Sequence, residues 1–147
     1  MHKNDVIATM NHLIETCKDG EHGFRTCADG VKSARVKRLL DGAAQRCAEA
    51  AAELEAKVRG LGGDSVESGS VTGSLHRAWI NIKSTIPGMD EAAVLAECER
   101  GEDIAKRAYE TALEKDLPAD VISIIARQYQ GVKKNRDRVR KVWNTAS

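Results

Sequence analysis

The feature that most constrains this chain is a seam of apolar or small residues running unbroken through several heptads near its start. Val6, Met10, Leu13, Cys17, Gly20, Phe24, Cys27 and Val31 follow one another in alternating steps of four and three. That spacing is one face of a long helix lying along a partner. Gly20 and Gly23 fall inside it, and glycine costs about 1 kcal/mol in a helix interior. A turn there would reset the phase of the seam. The phase holds, so one continuous helix is expected from about Asp5 to Ser33.

The pattern recurs. From Ala34 to Leu61 the seam is Val36, Leu40, Ala43, Cys47, Ala50, Leu54 and Leu61, with Lys57 or Val58 at the remaining step; Gly62-Gly63 is a helix stop. A third helix is expected from an Asp90 cap to Asp116, with Val94, Cys98, Gly101, Ala105, Ala108 and Ala112 facing inward. Pro118 suits a helix start and opens the fourth, which buries Val121, Ile125, Gln128, Val132, Asn135, Val139 and Val142. Each long segment spans roughly 40 Å at 1.5 Å per residue.

The first pair and the last pair have short links, so each is an antiparallel hairpin. The middle connection, residues 62–88, is different. Its first part, 62–70, is a Gly/Ser-rich linker. An amphipathic helix should follow, with Val71, Leu75, Trp79, Ile82 and Ile86 on one face and Pro87-Gly88 closing it. Two helical hairpins joined by one long crossover describe an all-α, ferritin-like four-helix bundle, with residues 1–147 as a single domain.

Composition narrows the function classes. Hydrophobic residues are 41% and charged residues 31% of the chain, too apolar for disorder and too charged for a membrane protein. No apolar run approaches the roughly 20 residues that span a bilayer. Residues 1–18 hold His2, Lys3, Asp5, His12 and Glu15, which leaves no secretory signal, so a cytoplasmic setting is expected. The net charge of +1 gives no global pull toward nucleic acid or anionic lipid. The fourth helix is strongly basic, but its hairpin neighbour is acidic. Pairing within the molecule is expected in place of nucleic-acid binding, and no aromatic platform supports the latter.

Bundles that bind two metal ions use a Glu from each of two helices and Glu-x-x-His from each of the other two. Here Glu15, Glu49, Glu53 and Glu99 are followed three residues later by Lys18, Ala52, Ala56 and Glu102. The histidines are His2, His12, His22 and His76, none of them in the second, third or fourth long helix. The usual ligand set is absent. Levels within the bundle can still be compared. Residue i should lie opposite about 64 − i in the first hairpin, about 233 − i in the second, and about 121 − i between the first and third helices, each to within a turn. Gly20, Gly42, Gly101 and Gly131 then share one layer, with Glu21, Glu99, Glu102 and Asp103 beside it. One reading is close packing, with the carboxylates paired to Arg100, Arg25 or Lys133. The other is a small polar cavity for a metal, a water cluster or a small ligand. On that second reading these four carboxylates are the candidate ligands of an atypical, histidine-poor iron or manganese site. The first reading implies no cofactor.

All four cysteines lie on seams. No CxxC spacing is present, so zinc-ribbon and thioredoxin-like readings fail, and thiols are expected in a reducing compartment. Cys17 and Cys47 should face each other, either as small packing residues or as a redox pair. Gln128 and Asn135 are amides at inward positions; they need partners, and either fix helix alignment or line the cavity. Trp79 should anchor the crossover, and Trp143 should be end-of-bundle core or part of a dimer contact.

Specific strings carry a resemblance. LIETCKDGEHGF (Leu13–Phe24), GSLHRAWINIKS (Gly73–Ser84), ECERGEDIAKRAYETALEKDL (Glu97–Leu117) and RQYQGVKKNRDRVR (Arg127–Arg140) are similar to a family of proteobacterial ferritin-like four-helix-bundle proteins of unknown function. The resemblance covers nearly the whole chain, and Glu97–Leu117 is its most specific part. It implies the fold and a bacterial cytoplasmic setting, with a stress-response context, and supplies no reaction. In the family's pattern a histidine stands near the position of Asn135, and the asparagine here weakens the metal reading. The leading expectation is a non-catalytic binding or protein-association bundle, as a homodimer or with another protein partner, without nucleic acid or membrane. The alternative is the metal-carboxylate protein.

Overall fold

The computed structural model describes residues 2–64 and 91–146. Four helices make up the described chain: α1 (Lys3–Gly30), α2 (Ala34–Gly60), α3 (Glu91–Leu113) and α4 (Ala119–Ala146). No strand occurs among the described residues. The expected crossover helix, with Val71, Trp79 and Pro87-Gly88, lies outside them.

α1 is continuous through Gly20 and Gly23, both buried. The seam from Val6 to Cys27 is buried at every position, as a constant phase requires. The helix ends three residues before the expected Ser33, because Ser33 instead caps α2 by accepting from the Val36 N–H at 3.3 Å. At the other end of α2, Gly62 has φ +83°. The Gly63 N–H bonds to the Val58 carbonyl at 3.0 Å, closing the last turn. A Cβ on Gly63 would come within 2.7 Å of Ile7 Cδ1, so a larger residue here would force the Ile7 side chain to shift where the departing chain passes the first turns of α1.

α1 packs on α2 and α3, and α4 on α3 and α2. Both hairpins are antiparallel. Asn11 donates to the Asp64 carbonyl at 3.0 Å, which fixes the end of α2 beside the start of α1. Val94 and Cys98, by contrast, pack with Phe24 and Cys27. Asp64 and Glu91 therefore lie at opposite ends of the bundle, as a long middle connection requires.

The second hairpin departs from its expected levels by about one turn: Tyr109 meets Gln128 and Glu102 meets Asn135. The reason is local. Glu114 and Lys115 keep helical-type bonds to Thr111 and Ala112, so the chain advances along α3 and reverses nearer Pro118.

The core has two apolar parts. One gathers Phe24, Cys27, Val36, Leu40, Val94, Cys98 and Val139. The other gathers Met10, Leu13, Ile14, Leu54, Val58, Val121 and Ile125. Burying each large aliphatic side chain contributes about 1.5–3 kcal/mol, which offsets the cost of the polar layer between the two parts. Charges on α3 and α4 pair across the hairpin: Arg136 with Asp103, and Arg140 with Glu99. No helix among the described residues is long and apolar enough to cross a membrane.

Candidate functional site

Between the two apolar parts, the four helices separate around a cavity of about 230 Å³. Small residues open it. Gly20, Gly101 and Gly131 line it from α1, α3 and α4. Gly42, the fourth glycine expected in this layer, does not; the Arg46 guanidinium lies back over it, 3.7 Å from where a Cβ would stand.

The glycines do different work. A Cβ on Gly20 would stand 3.1 Å from Cys47 Sγ, so this glycine permits a close approach of α1 and α2. A Cβ on Gly131 would meet nothing within 4 Å. Close packing accounts for Gly20; at Gly131 the missing side chain leaves space.

Two polar belts cross the cavity. In the first, Arg46 (α2) donates to Asn135 Oδ1 (α4), and Asn135 Nδ2 donates to Glu102 Oε1 (α3). In the second, the Tyr109 hydroxyl (α3) donates to Gln128 Oε1 (α4) at 2.8 Å. Gln128 Nε2 donates to Glu53 Oε1 at 2.8 Å and to the Ala50 carbonyl at 3.2 Å on α2. Cys17 Sγ (α1) lies 3.2 Å from the Tyr109 oxygen. The tyrosine proton is committed to Gln128, so the thiol is the donor. Arg127 closes this belt at the surface on Glu53. Both inward amides of α4 thus find partners, as buried amides must.

Burial sets the protonation states. It pushes the Glu102 carboxyl up to about 8, against the hydrogen bond from Asn135 and the charge of Arg46, which both pull it down. Glu102 is therefore mostly neutral at pH 7. Burial raises the Cys17 thiol to about 11, with the Tyr109 contact opposing. It also raises Cys47, Cys98 and Tyr109. Arg46 is lowered, by burial first and by Arg138 next. Burial pushes Glu53 up too, but the hydrogen bonds from Arg127 and Gln128 outweigh it and hold the carboxyl below its ordinary value. None of these thiols is a ready nucleophile, since thiolate is the reactive form.

Of the four carboxylates singled out from sequence, the structure brings only Glu102 into the cavity. Glu21 pairs with Arg25 on its own helix, Glu99 with Arg140 and Asp103 with Arg136. Cys17 and Cys47 both line the cavity. All four cysteines are free thiols, and the Cys27 and Cys98 thiols are hydrogen-bonded to each other in the apolar core.

Sequence reasoning missed Arg46 and Tyr109. Arg46 stands one residue before a seam position and Tyr109 one after, where a charged or bulky residue is ordinarily read as flank. The signal for both was the pair of seam amides on α4, each of which demanded a polar partner at its own level.

The donor set does not fit the pair of metal ions that carboxylate bundles hold. No histidine lines the cavity, and Glu102 is already engaged by Asn135. Among the described residues no three His, Cys, Asp or Glu side chains are grouped to hold a metal ion.

Comparison with known proteins places the fold. The chain is similar to a Dps1 variant from Mycobacterium smegmatis, at 14% identity and a TM-score of 0.76, over 96% of each chain. It is also similar to a dodecameric thioferritin, the bacterioferritin-related protein of Bacteroides fragilis. That match has 14% identity and a TM-score of 0.79, over 99% of this chain and 88% of the other. No curated protein matches the sequence. The architecture is ferritin-like. Residues 5–115 match the domain of unknown function DUF2383, and the chain belongs to that family.

Proposed function

We propose that this protein is a non-catalytic binding bundle that takes a small molecule in the cavity between its two apolar cores. The observation that carries the reading is Gly131. A glycine in mid-helix costs about 1 kcal/mol relative to alanine, and here no neighbour needs the space it leaves. An empty position retained at that cost is what a ligand cavity requires. A bundle core is a usual place for such a site. At Cys17 and Cys47 burial outweighs the neighbours that favour the thiolate, Tyr109 and Arg46, which supports binding over thiol chemistry.

The test is thermal unfolding with toluene and phenol as probes. Binding to the native state alone raises the midpoint by mass action. Both probes should raise it in the natural protein, and neither should in Gly131→Leu, which fills the cavity. If neither probe shifts the natural protein at near-saturating concentration, the binding reading is lost.

A second reading, a histidine-poor iron or manganese protein, is favoured by the fold shared with a Dps protein and a thioferritin. It would be centred on Glu21 with Glu99, Glu102 or Asp103, and needs the ion pairs of Glu21, Glu99 and Asp103 to open. Elemental analysis of protein purified without chelators decides it: stoichiometric iron or manganese supports it, and sub-stoichiometric metal with no melting shift on addition removes it. Self-association in a bacterial cytoplasm, in a stress response, belongs to the same proposal; the similarity to a dodecameric protein supports the assembly, and sedimentation velocity measures it.

A further inference from the structure

The cavity has one donor left over. Arg46 lines it, and the Arg46 Nε–H is buried with no hydrogen-bond partner. A buried donor without an acceptor is costly, so an unfilled one marks where an acceptor belongs. We propose that the ligand is a small monocarboxylate with an apolar body, its carboxylate accepting from Arg46 Nε. The proposal rests on the binding reading above and names the chemistry of its ligand.

Charge points the same way. Most of the other ionic groups facing this layer are already matched by opposite charges. On α2 and α4, Glu53 is paired with Arg127; across α3 and α4, Asp103 is paired with Arg136; on α1, Glu21 is paired with Arg25. Glu49 is exposed and held by Gln45. Arg138 adds positive charge near Arg46. Cys17 and Cys47 are held as neutral thiols by burial. Glu102 is mostly protonated near pH 7, which weakens the negative charge set against Arg46, leaves the exposed Glu49 as the acid opposing it, and adds a second donor beside it. The remaining wall, with Phe24, Ala43, Ala105 and Val132, suits a hydrocarbon body.

Size sets an upper bound. A dry cavity of about 150 Å³ accommodates benzene. By proportion, the cavity here takes about nine or ten non-hydrogen atoms, the size of benzoate or a medium-chain fatty acid.

The experiment titrates the full chain with benzoate, benzyl alcohol, benzylamine and toluene, followed by NMR that includes the arginine Nε–H resonances. Benzoate should bind at least about tenfold more tightly than benzyl alcohol, with benzylamine weakest, and should shift the Arg46 Nε–H signal. Arg46→Lys keeps a positive charge but removes that donor; it should lose the preference for benzoate and keep toluene. Raising the pH from 7 to 9.5 should weaken benzoate about tenfold or more as Glu102 ionises, while toluene is unaffected and Glu102→Gln flattens the dependence. Equal affinity for benzyl alcohol and benzoate, or tighter binding of benzylamine, overturns the carboxylate while leaving the cavity a binding site. So does an unmoved Arg46 signal at saturating benzoate, which needs no variant to fold. If no probe binds, toluene included, the binding reading falls as well.

Discussion

Asn135 on α4 donates its side-chain amide to the carboxyl of Glu102 on α3, and the same amide accepts from Arg46 on α2. One short side chain therefore joins three helices, in a layer where an unpaired polar group would be expensive. Glu102 is only 4% exposed, and its proton is the variable that links this layer to pH.

The folded-state value of Glu102, about 8, lies above its ordinary 4.5. The folded protein thus keeps a proton that the unfolded chain gives up. Stability should be greatest at low pH with respect to this group, decline as pH rises from about 4.5 to about 8, and level off above. At about 1.4 kcal/mol per unit, the decline amounts to a few kcal/mol. Glu102→Gln retains the acceptor for Asn135 and should flatten the slope, making the variant more stable than the natural protein above pH 8. Urea unfolding at a series of pH values measures both curves, and parallel slopes would refute the assignment.

Gly131→Ala should stabilise the protein by about 0.5–1 kcal/mol, because it gains helix propensity and meets no neighbour. Chemical denaturation reads this directly. A loss of stability would mean that α4 does not face open space at this position.

Gly20→Ala should do the opposite. Its new methyl would press on Cys47 Sγ at 3.1 Å, and overpacking of this kind typically costs about 1–3 kcal/mol. Adding Cys47→Ala removes the obstacle. The double variant should recover most of the loss, giving a clear coupling in a double-mutant cycle. Additive effects would place the two residues apart.

Tyr109→Phe deletes the hydroxyl that binds Gln128 and Cys17. It leaves Gln128 Oε1 short of a donor in a buried site and should cost about 1–3 kcal/mol. Gln128 keeps its bonds to Glu53 and Ala50, so the fold should persist with an unchanged circular dichroism spectrum.

Much of this architecture was legible because one physical signal repeats. The unbroken phase of the α1 seam across Gly20 and Gly23 identified a single helix, and the burial of both glycines bears that out. That Gly20, Gly101 and Gly131 fall in one region of the bundle could be reached by counting along antiparallel helices, since rise per residue is constant, although the one-turn offset of the second hairpin sets Gly101 and Gly131 at different heights of the cavity they line. What counting could not supply is direction around the helix axis. Glu21, Glu99, Glu102 and Asp103 share a height, yet three of them turn outward to arginines. Arg46 was hidden for the converse reason. A charged residue at a flank is normally solvated, and here the Asn135 carbonyl oxygen across the bundle accepts from its guanidinium and holds it at the cavity.

The two polar belts are spaced by one heptad on three helices at once: Arg46 and Glu53 on α2, Glu102 and Tyr109 on α3, Gln128 and Asn135 on α4. A seam of alanines, glycines and cysteines offers little resistance to a helix sliding by seven residues. The belts do. Shifting α4 one way would bring Glu102 against Val142, and the other way would bring Tyr109 against Val121. Either slip strands a polar group on hydrocarbon, so a small-residue core that could settle in several alignments is held to one.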